Sequence, residues 1–275
     1  MKWRLDPVMP FDPSPDVATQ PALVARVPDQ KKLSSIVKTL GAIYPLTENQ
    51  QFLKRVKKKI GSWTVLVRLG VTAQSDLHAS VQSLIAEHGL EPETAIVPAG
   101  PPQTRAQFER STQLWPCRFH EDKKLEDLLG HRDPDLWGGP ALSRHYAHMA
   151  SVLTARTRAG HDNVVLVHPG GTESRNVHLE RDGLCTGHPV MAAITQSASN
   201  DSPAGYLWSD CDVYLAEEPC LMCSMALVHA RVRQIFFCFP SPSGALQTLV
   251  RLHALQPLNH KFGVFWLRPE HGGSL

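Results

Sequence analysis

Two short stretches constrain the fold of this chain more than anything else in its 275 residues: Gly187-His188-Pro189-Val190-Met191-Ala192-Ala193 and Glu218-Pro219-Cys220-Leu221-Met222-Cys223. One imidazole and two thiolates are a donor set for tetrahedral zinc, and a Cys-x-x-Cys pair on the first turn of a helix turns both sulfurs to one side. The segment Asp212-Val213-Tyr214-Leu215-Ala216 alternates and carries β-branched and aromatic residues, so it reads as a strand leading to a helix that starts at Pro219. His188 opens a second helical run, Met191-Ala192-Ala193-Ile194. Three protein ligands, His188, Cys220 and Cys223, leave a fourth position open, as catalytic zinc sites do.

A Cys-x-x-Cys after a strand also fits a thioredoxin-type redox pair. Pro219 precedes the pair rather than sitting inside it, and the His188 motif has no place in that chemistry. Cys117, Cys185, Cys211 and Cys238 read as packed or surface thiols, with Cys211 a rival ligand by its place in the sequence. Six cysteines in a chain of this length are not the pattern of a disulfide-stapled secreted domain, which points to a reducing compartment. The first residues form no apolar signal core, and no run approaches 18 apolar residues. The expectation is a soluble protein of the cytoplasm or nucleus, with no membrane association.

The arrangement resembles the H-x-E … P-C-x-x-C signature of the zinc-dependent nucleobase deaminases. In that family the residue two after the histidine is a glutamate that shuttles a proton between the zinc-bound water and the base; here the position is Val190. An isopropyl group exchanges no proton, and loss of general acid–base help costs on the order of 10²–10⁴ in rate. Val190 admits three readings: a silent site, a shifted register in which Glu217 or Glu218 acts, or an ordinary core valine. The flanks Tyr206 to Tyr214, Met225 to Val232 and Leu255 to Phe262 are similar to tRNA adenosine deaminases. With His-x-Val, a long N-terminal extension and the string Trp115-Pro116-Cys117-Arg118-Phe119-His120-Glu121-Asp122-Lys123, the chain resembles the non-catalytic subunits of the eukaryotic heterodimeric wobble-adenosine deaminases. The deaminase motifs cover roughly residues 141 to 268, and the match over the first hundred is loose.

That resemblance implies an α/β architecture, a three-layer α/β/α cytidine-deaminase-like domain with a mixed five-stranded sheet, and the helix–strand–helix–strand pattern ahead of it suggests a small α+β domain. The resemblance also implies a zinc held by His188, Cys220 and Cys223, no catalytic residue at Val190, a catalytic deaminase partner and a tRNA ligand. Two other readings remain open: an active zinc deaminase of a nucleoside or base, and a zinc-stabilised RNA-binding module without an enzymatic partner.

Along the chain, six prolines in residues 1 to 28 read as irregular structure. Leu33, Ile36, Val37 and Leu40 predict a helix over Gln30 to Leu40, Trp63 to Leu69 a strand, Ser75 to His88 a helix stopped by Gly89, and Thr94 to Pro98 a strand. This places an N-terminal α+β domain at residues 1–100, a linker at 101–140 holding a short helix from Thr104 to Leu114 and a loop from Gly130 to Pro140, and the deaminase-like domain at 141–275. That domain should hold a helix over Ala141 to Ala159, strands at Val164 to Val167 and Gln234 to Phe239, a turn at Pro169-Gly170-Gly171, a helix running to Leu255, and a last strand from Phe262 to Leu267.

The net charge of +2 is too mild to argue for nucleic acid, but residues 1 to 130 hold 10 of the 11 lysines. The run Lys54-Arg55-Val56-Lys57-Lys58-Lys59 is either a solvated face or a phosphate contact, and phosphates would relieve its self-repulsion. The resemblance places such a run where these subunits engage tRNA, so Lys54, Arg55, Lys57, Lys58 and Lys59 are the candidate RNA-binding residues. Trp63 and Arg68 adjoin the run, with Trp63 also readable as core. His229 and His260 fall at family positions, and His271 in the tail is a candidate to fill the open zinc position.

Overall fold

A computed structural model describes residues 3–59, 61–159, 164–168, 173–174, 188–199 and 205–270. In chain order its elements are β1 (Trp3–Pro7), β2 (Thr19–Val27), α1 (Leu33–Ile43), β3 (Val56–Lys59), β4 (Ser62–Leu69), α2 (Ala79–His88), β5 (Glu91–Pro98), α3 (Arg105–Leu114) and α4 (Lys123–Leu129). They continue with α5 (Pro134–Trp137), α6 (Gly139–Ala159), β6 (Val164–Val167), β7 (Glu173–Ser174), α7 (Pro189–Ser199), β8 (Asp212–Glu217), α8 (Leu221–His229), β9 (Gln234–Phe239) and β10 (Gly263–Pro269). The expected turn at Pro169-Gly170-Gly171, together with Cys185, Gly187 and His271, lies outside the described residues.

The chain divides into two compact units, residues 13–126 and residues 1–12 with 127–275. This differs from a boundary near residue 100. Residues 105–114 form a helix of the first unit, with Thr104 capping it through Gln107 N, while Trp115 joins the core of that unit beside Leu53 and Leu66. The first dozen residues belong to the second unit because β1 pairs with β10, from Trp3 opposite Pro269 to Pro7 opposite Phe265.

In the first unit a four-stranded sheet runs β3-β4-β2-β5, antiparallel throughout. Ile36, Leu40, Val81 and Ile85 of the two helices pack on Leu23, Ala25, Val65 and Val67 of one sheet face. The helical stripe read from the sequence is thus the buried one. Proline did not keep residues 19 to 27 irregular. Pro21 lies in β2 opposite Ile96 of β5, but pairing with β4 begins only at Ala22, so its missing N–H falls where no ladder bond is needed.

In the second unit five strands, β10-β9-β8-β6-β7, form the expected mixed sheet, and β1 adds a sixth at the β10 edge. β8, β9 and β10 are parallel, and β6 runs against β8. Alternation sorts the strands' side chains: Val213, Leu215, Ile235 and Phe237 meet α7 and α8 on one face, while Tyr214, Ala216, Phe236 and Cys238 meet α5 and α6 on the other. Fully burying a side chain of this size is worth about 1.5–3 kcal/mol.

Two further expectations are corrected. Residues 130–140 are not one loop, because Asp133 accepts the Asp135 N–H, Pro134 takes the first helical position of α5, and α6 already starts at Gly139. The helix expected to run to Leu255 is absent; turns and a single 3₁₀ turn at Leu252–Ala254 take its place. The amides of Leu246, Gln247 and Thr248 bond to a side chain instead of closing a helical ladder.

Candidate metal centre

β8 ends at Glu217 with Glu218 just beyond it, and Cys220 is the N-cap of α8, with Cys223 in its first turn. Pro219 lies just outside the helix, two residues before its first turn. His188 immediately precedes α7, whose first residue is Pro189 and whose packing on α8 brings the two N-termini together. His188 Nδ1 lies 3.5 Å from Cys220 Sγ and 3.5 Å from Cys223 Sγ. A tetrahedral zinc with Zn–S about 2.3 Å and Zn–N about 2.05 Å requires an N to S separation of about 3.6 Å. The donor atoms of all three lie within 4.8 Å of one another, and no other such triple is found among the described residues.

Burial first, then the neighbouring Cys220, pushes the Cys223 thiol up to about 12, while N–H groups of Val190 and Met191 at the start of α7 act in the opposite direction. Two sulfurs this close are tenable as thiolates only beside a cation, and the two helix N-termini add positive potential. The residues therefore fit a zinc ion. Cys211 is not a rival ligand: its sulfur lies 3.2 Å from His168 Nδ1, away from the triple. Cys238 is buried under α6 with a thiol pushed up to about 12 by burial, as an inert packed cysteine should be.

Beside the triple is a cleft of about 160 Å³ walled by Val190, Glu217, Glu218 and Ser243. Val190 is 1% exposed and packs with Ala193, Leu227 and Val228, so it is both the wall of the cleft and part of the core. Neither nearby carboxylate is free to replace a missing base. Glu217 is 2.5 Å from the Arg156 guanidinium. Glu218 accepts from the amides of Leu246, Gln247 and Thr248 at 2.6 to 3.0 Å and from Thr248 Oγ1 at 2.5 Å. Burial pushes its pKa up, but these hydrogen bonds outweigh it and hold the carboxyl below the usual range.

Glu218 is the residue that sequence reasoning placed wrongly. Weighed as an acid that could act in a shifted register, it instead gathers a loop that lies 23 to 30 residues downstream. Gly244 is the matching signal, since a Cβ there would stand 2.1 to 2.5 Å from the Glu218 carboxyl group. Of the family-position histidines, His260 holds the Val232 carbonyl at 2.7 Å, and His229 is exposed at the end of α8.

The basic run divides in two. Arg55 donates to the carbonyls of Leu66 and Tyr44, and Lys57 Nζ donates to the Leu114 carbonyl at 2.7 Å while lying over the Trp115 ring. Both are committed to the fold. Lys54 and Lys58 are exposed, Lys58 lying over Trp63, and the side chain of Lys59 is outside the described residues. Trp63 is half-buried against the helical core, and Arg68 donates to the Asp76 carbonyl.

Comparison with known proteins places both units. Residues 20–115 match the tRNA-specific adenosine deaminase TAD3 N-terminal domain, and residues 143–239 match the cytidine and deoxycytidylate deaminase zinc-binding region. The chain is 30% identical to the "Probable inactive tRNA-specific adenosine deaminase-like protein 3" of Rattus norvegicus, covering 96% of this chain and 89% of that protein. It is likewise 30% identical to the Homo sapiens protein of the same name, over 98% of this chain and 93% of that one. To the Schizosaccharomyces pombe "tRNA-specific adenosine deaminase subunit tad3" it is 29% identical over 63% of this chain and 59% of that protein.

Proposed function

The chain belongs to the tRNA-specific adenosine deaminase-like protein 3 family, and from that premise we propose that it is the non-catalytic, zinc-holding subunit of a deaminase converting adenosine to inosine at the wobble position of tRNA. The observation that carries the proposal is Val190. The metal triple is complete, yet the position that should hold the proton-transferring glutamate is an apolar side chain set in the core, and both nearby carboxylates are already engaged. His188, Cys220 and Cys223 would hold zinc. A bound zinc in such a site polarises water; with no group to move the proton, its remaining role is to tie the starts of α7 and α8 together.

The catalytic subunit supplies the working site and docks beside the metal centre. Leu221 and Met222, on the first turn of α8, are 54% and 47% exposed, and Leu249 and Leu255, on the segment after β9, are also exposed. Leu221 and Met222 directly follow Cys220, and adjacent exposed apolar side chains at such a site favour an interaction surface there. The N-terminal unit, carrying Lys54, Lys58 and Lys59, holds the tRNA body. Cytoplasm or nucleus, where tRNA is processed, is the location that goes with this role. Among the described residues no helix is long and apolar enough to cross a membrane.

The test is inosine formation at the tRNA wobble position by this chain alone, by a His-x-Glu deaminase partner alone, and by the two mixed, with zinc measured for each. Activity in the mixture only, with about one zinc on this chain, supports the proposal. Turnover by the chain alone, or tight tRNA binding with no complex formed, defeats it.

A further inference from the structure

The exposed half of the basic run does not stand alone. Leu53 and Cys117 form an antiparallel bridge, flanked by Lys54 N to Pro116 O at 2.9 Å and Arg118 N to Phe52 O at 2.6 Å. Two side-chain bonds fasten the same pair of segments: Trp115 Nε1 to the Lys54 carbonyl and Lys57 Nζ to the Leu114 carbonyl, each 2.7 Å. Residues 52–59 and 114–118, some sixty positions apart in sequence, are therefore one rigid surface of the N-terminal unit.

Side chains alternate across such a bridge. Leu53 and Cys117 point inward, 2% and 5% exposed, so Lys54 and Arg118 stand together on the outer side, and both are exposed. As diagonal neighbours their Cβ atoms are about 7–8 Å apart or somewhat less. Neither side chain has an ion-pair or hydrogen-bond partner among the described residues. Asp122, the nearest aspartate downstream, is directed to the amides of Lys124 and Leu125. Two unpaired cations held side by side by a fixed backbone repel each other in water, and a polyphosphate ligand removes that repulsion while releasing counterions.

We propose that Arg118 and Lys54 form a two-segment phosphate clamp on the tRNA backbone, with Arg55 and Lys57 acting as fasteners beneath it. The clamp deepens, and rests on, the reading of the N-terminal unit as a tRNA-holding element. The charge run alone would have distributed the binding evenly over five residues and left Arg118 out.

The experiment measures the affinity of the complete two-subunit complex for a substrate tRNA transcript across a series of salt concentrations, with Arg118→Gln, Lys54→Gln, Lys58→Gln and Arg118→Lys. Removing one phosphate-bound cation should flatten the slope of log K against log salt by about 0.7–0.9, which is a weakening of about five- to eightfold at 0.1 M salt that closes towards 1 M. Arg118→Gln and Lys54→Gln should each do this with an unchanged melting temperature, and Arg118→Lys should restore the slope. A parental slope in Arg118→Gln beside a reduced one in Lys54→Gln or Lys58→Gln overturns the clamp and leaves the tRNA-holding role standing. Parental slopes in all the glutamine variants overturn both.

Discussion

The candidate metal centre of the C-terminal unit and the candidate basic surface of the N-terminal unit both rest on short runs of residues, and they differ in three dimensions. His188, Cys220 and Cys223 are brought together as a set, with both nitrogen–sulfur distances at 3.5 Å. Of the five basic residues, Arg55 and Lys57 turn inward to backbone carbonyls, while Lys54 and Lys58 remain exposed. Metal ligation demands particular atoms at particular angles, so it leaves a spacing signature in the chain. Positive charge serves equally as a solvated face, a phosphate contact or a donor to a stranded carbonyl, and residue type alone does not choose among these.

The largest expected effect tests the first half of that contrast. Cys223→Ser should lose the metal and destabilise the C-terminal unit by more than about 4 kcal/mol, because metal-binding free energy is folding free energy. Zinc content and thermal unfolding of the variant, compared with the chelator-treated parent, check it. A variant that keeps its melting temperature would show that the triple is not what joins α7 to α8.

Next in size is Arg55→Met, which leaves the Leu66 and Tyr44 carbonyls without their charged donor. A cost of about 2–3 kcal/mol in denaturant unfolding is expected, with the tRNA salt slope unchanged. A reduced slope at full stability would return Arg55 to the RNA surface.

A third test separates the metal face of the C-terminal sheet from its opposite face. His145 on α6 is buried with Nδ1 2.7 Å from the Tyr214 hydroxyl, and desolvation, then the charges of His148, Arg144 and Arg233, bring it from the ordinary 6.5 down to about 4. Because the folded pKa is depressed, the unfolded chain binds the proton first. The stability contributed is whole above about pH 6.5 and is lost as pH falls towards 4, at on the order of 1 kcal/mol per pH unit. His145→Phe should flatten that part of the stability–pH curve relative to the parent, and an unflattened curve would locate acid lability elsewhere.

The smallest effect belongs to Lys58→Gln, whose side chain lies over Trp63 at the surface. Stability should stay within about 0.5 kcal/mol of the parent in denaturant unfolding. A larger loss would make Lys58 a third fastener and narrow the RNA surface further.

Much of the fold was legible because its signals are local. The stripe Ile36 to Leu40, the alternation of Asp212 to Glu217 and the stop at Gly89, with φ 58°, all act within a few residues, and all appear in the structure. The failures share one cause. Pro21 reads as a breaker, but it lies one residue before the β2–β4 pairing begins at Ala22, so its missing N–H interrupts no rung of that ladder. The segment running to Leu255 was expected to be helical, but Glu218 takes the amides such a helix would use.

The sequence by itself marked His188, Cys220 and Cys223 as a candidate donor set, placed a valine where a glutamate was expected, and carried the alternation that builds the C-terminal sheet, because each depends on residue type at short spacing. Only the tertiary structure decided that residues 3–7 close the C-terminal sheet, that Glu218 holds a distant loop, and which cations face water. Those outcomes depend on hydrogen-bond donors and acceptors meeting across tens of residues or more. A buried donor or carbonyl must find a partner wherever the fold supplies one.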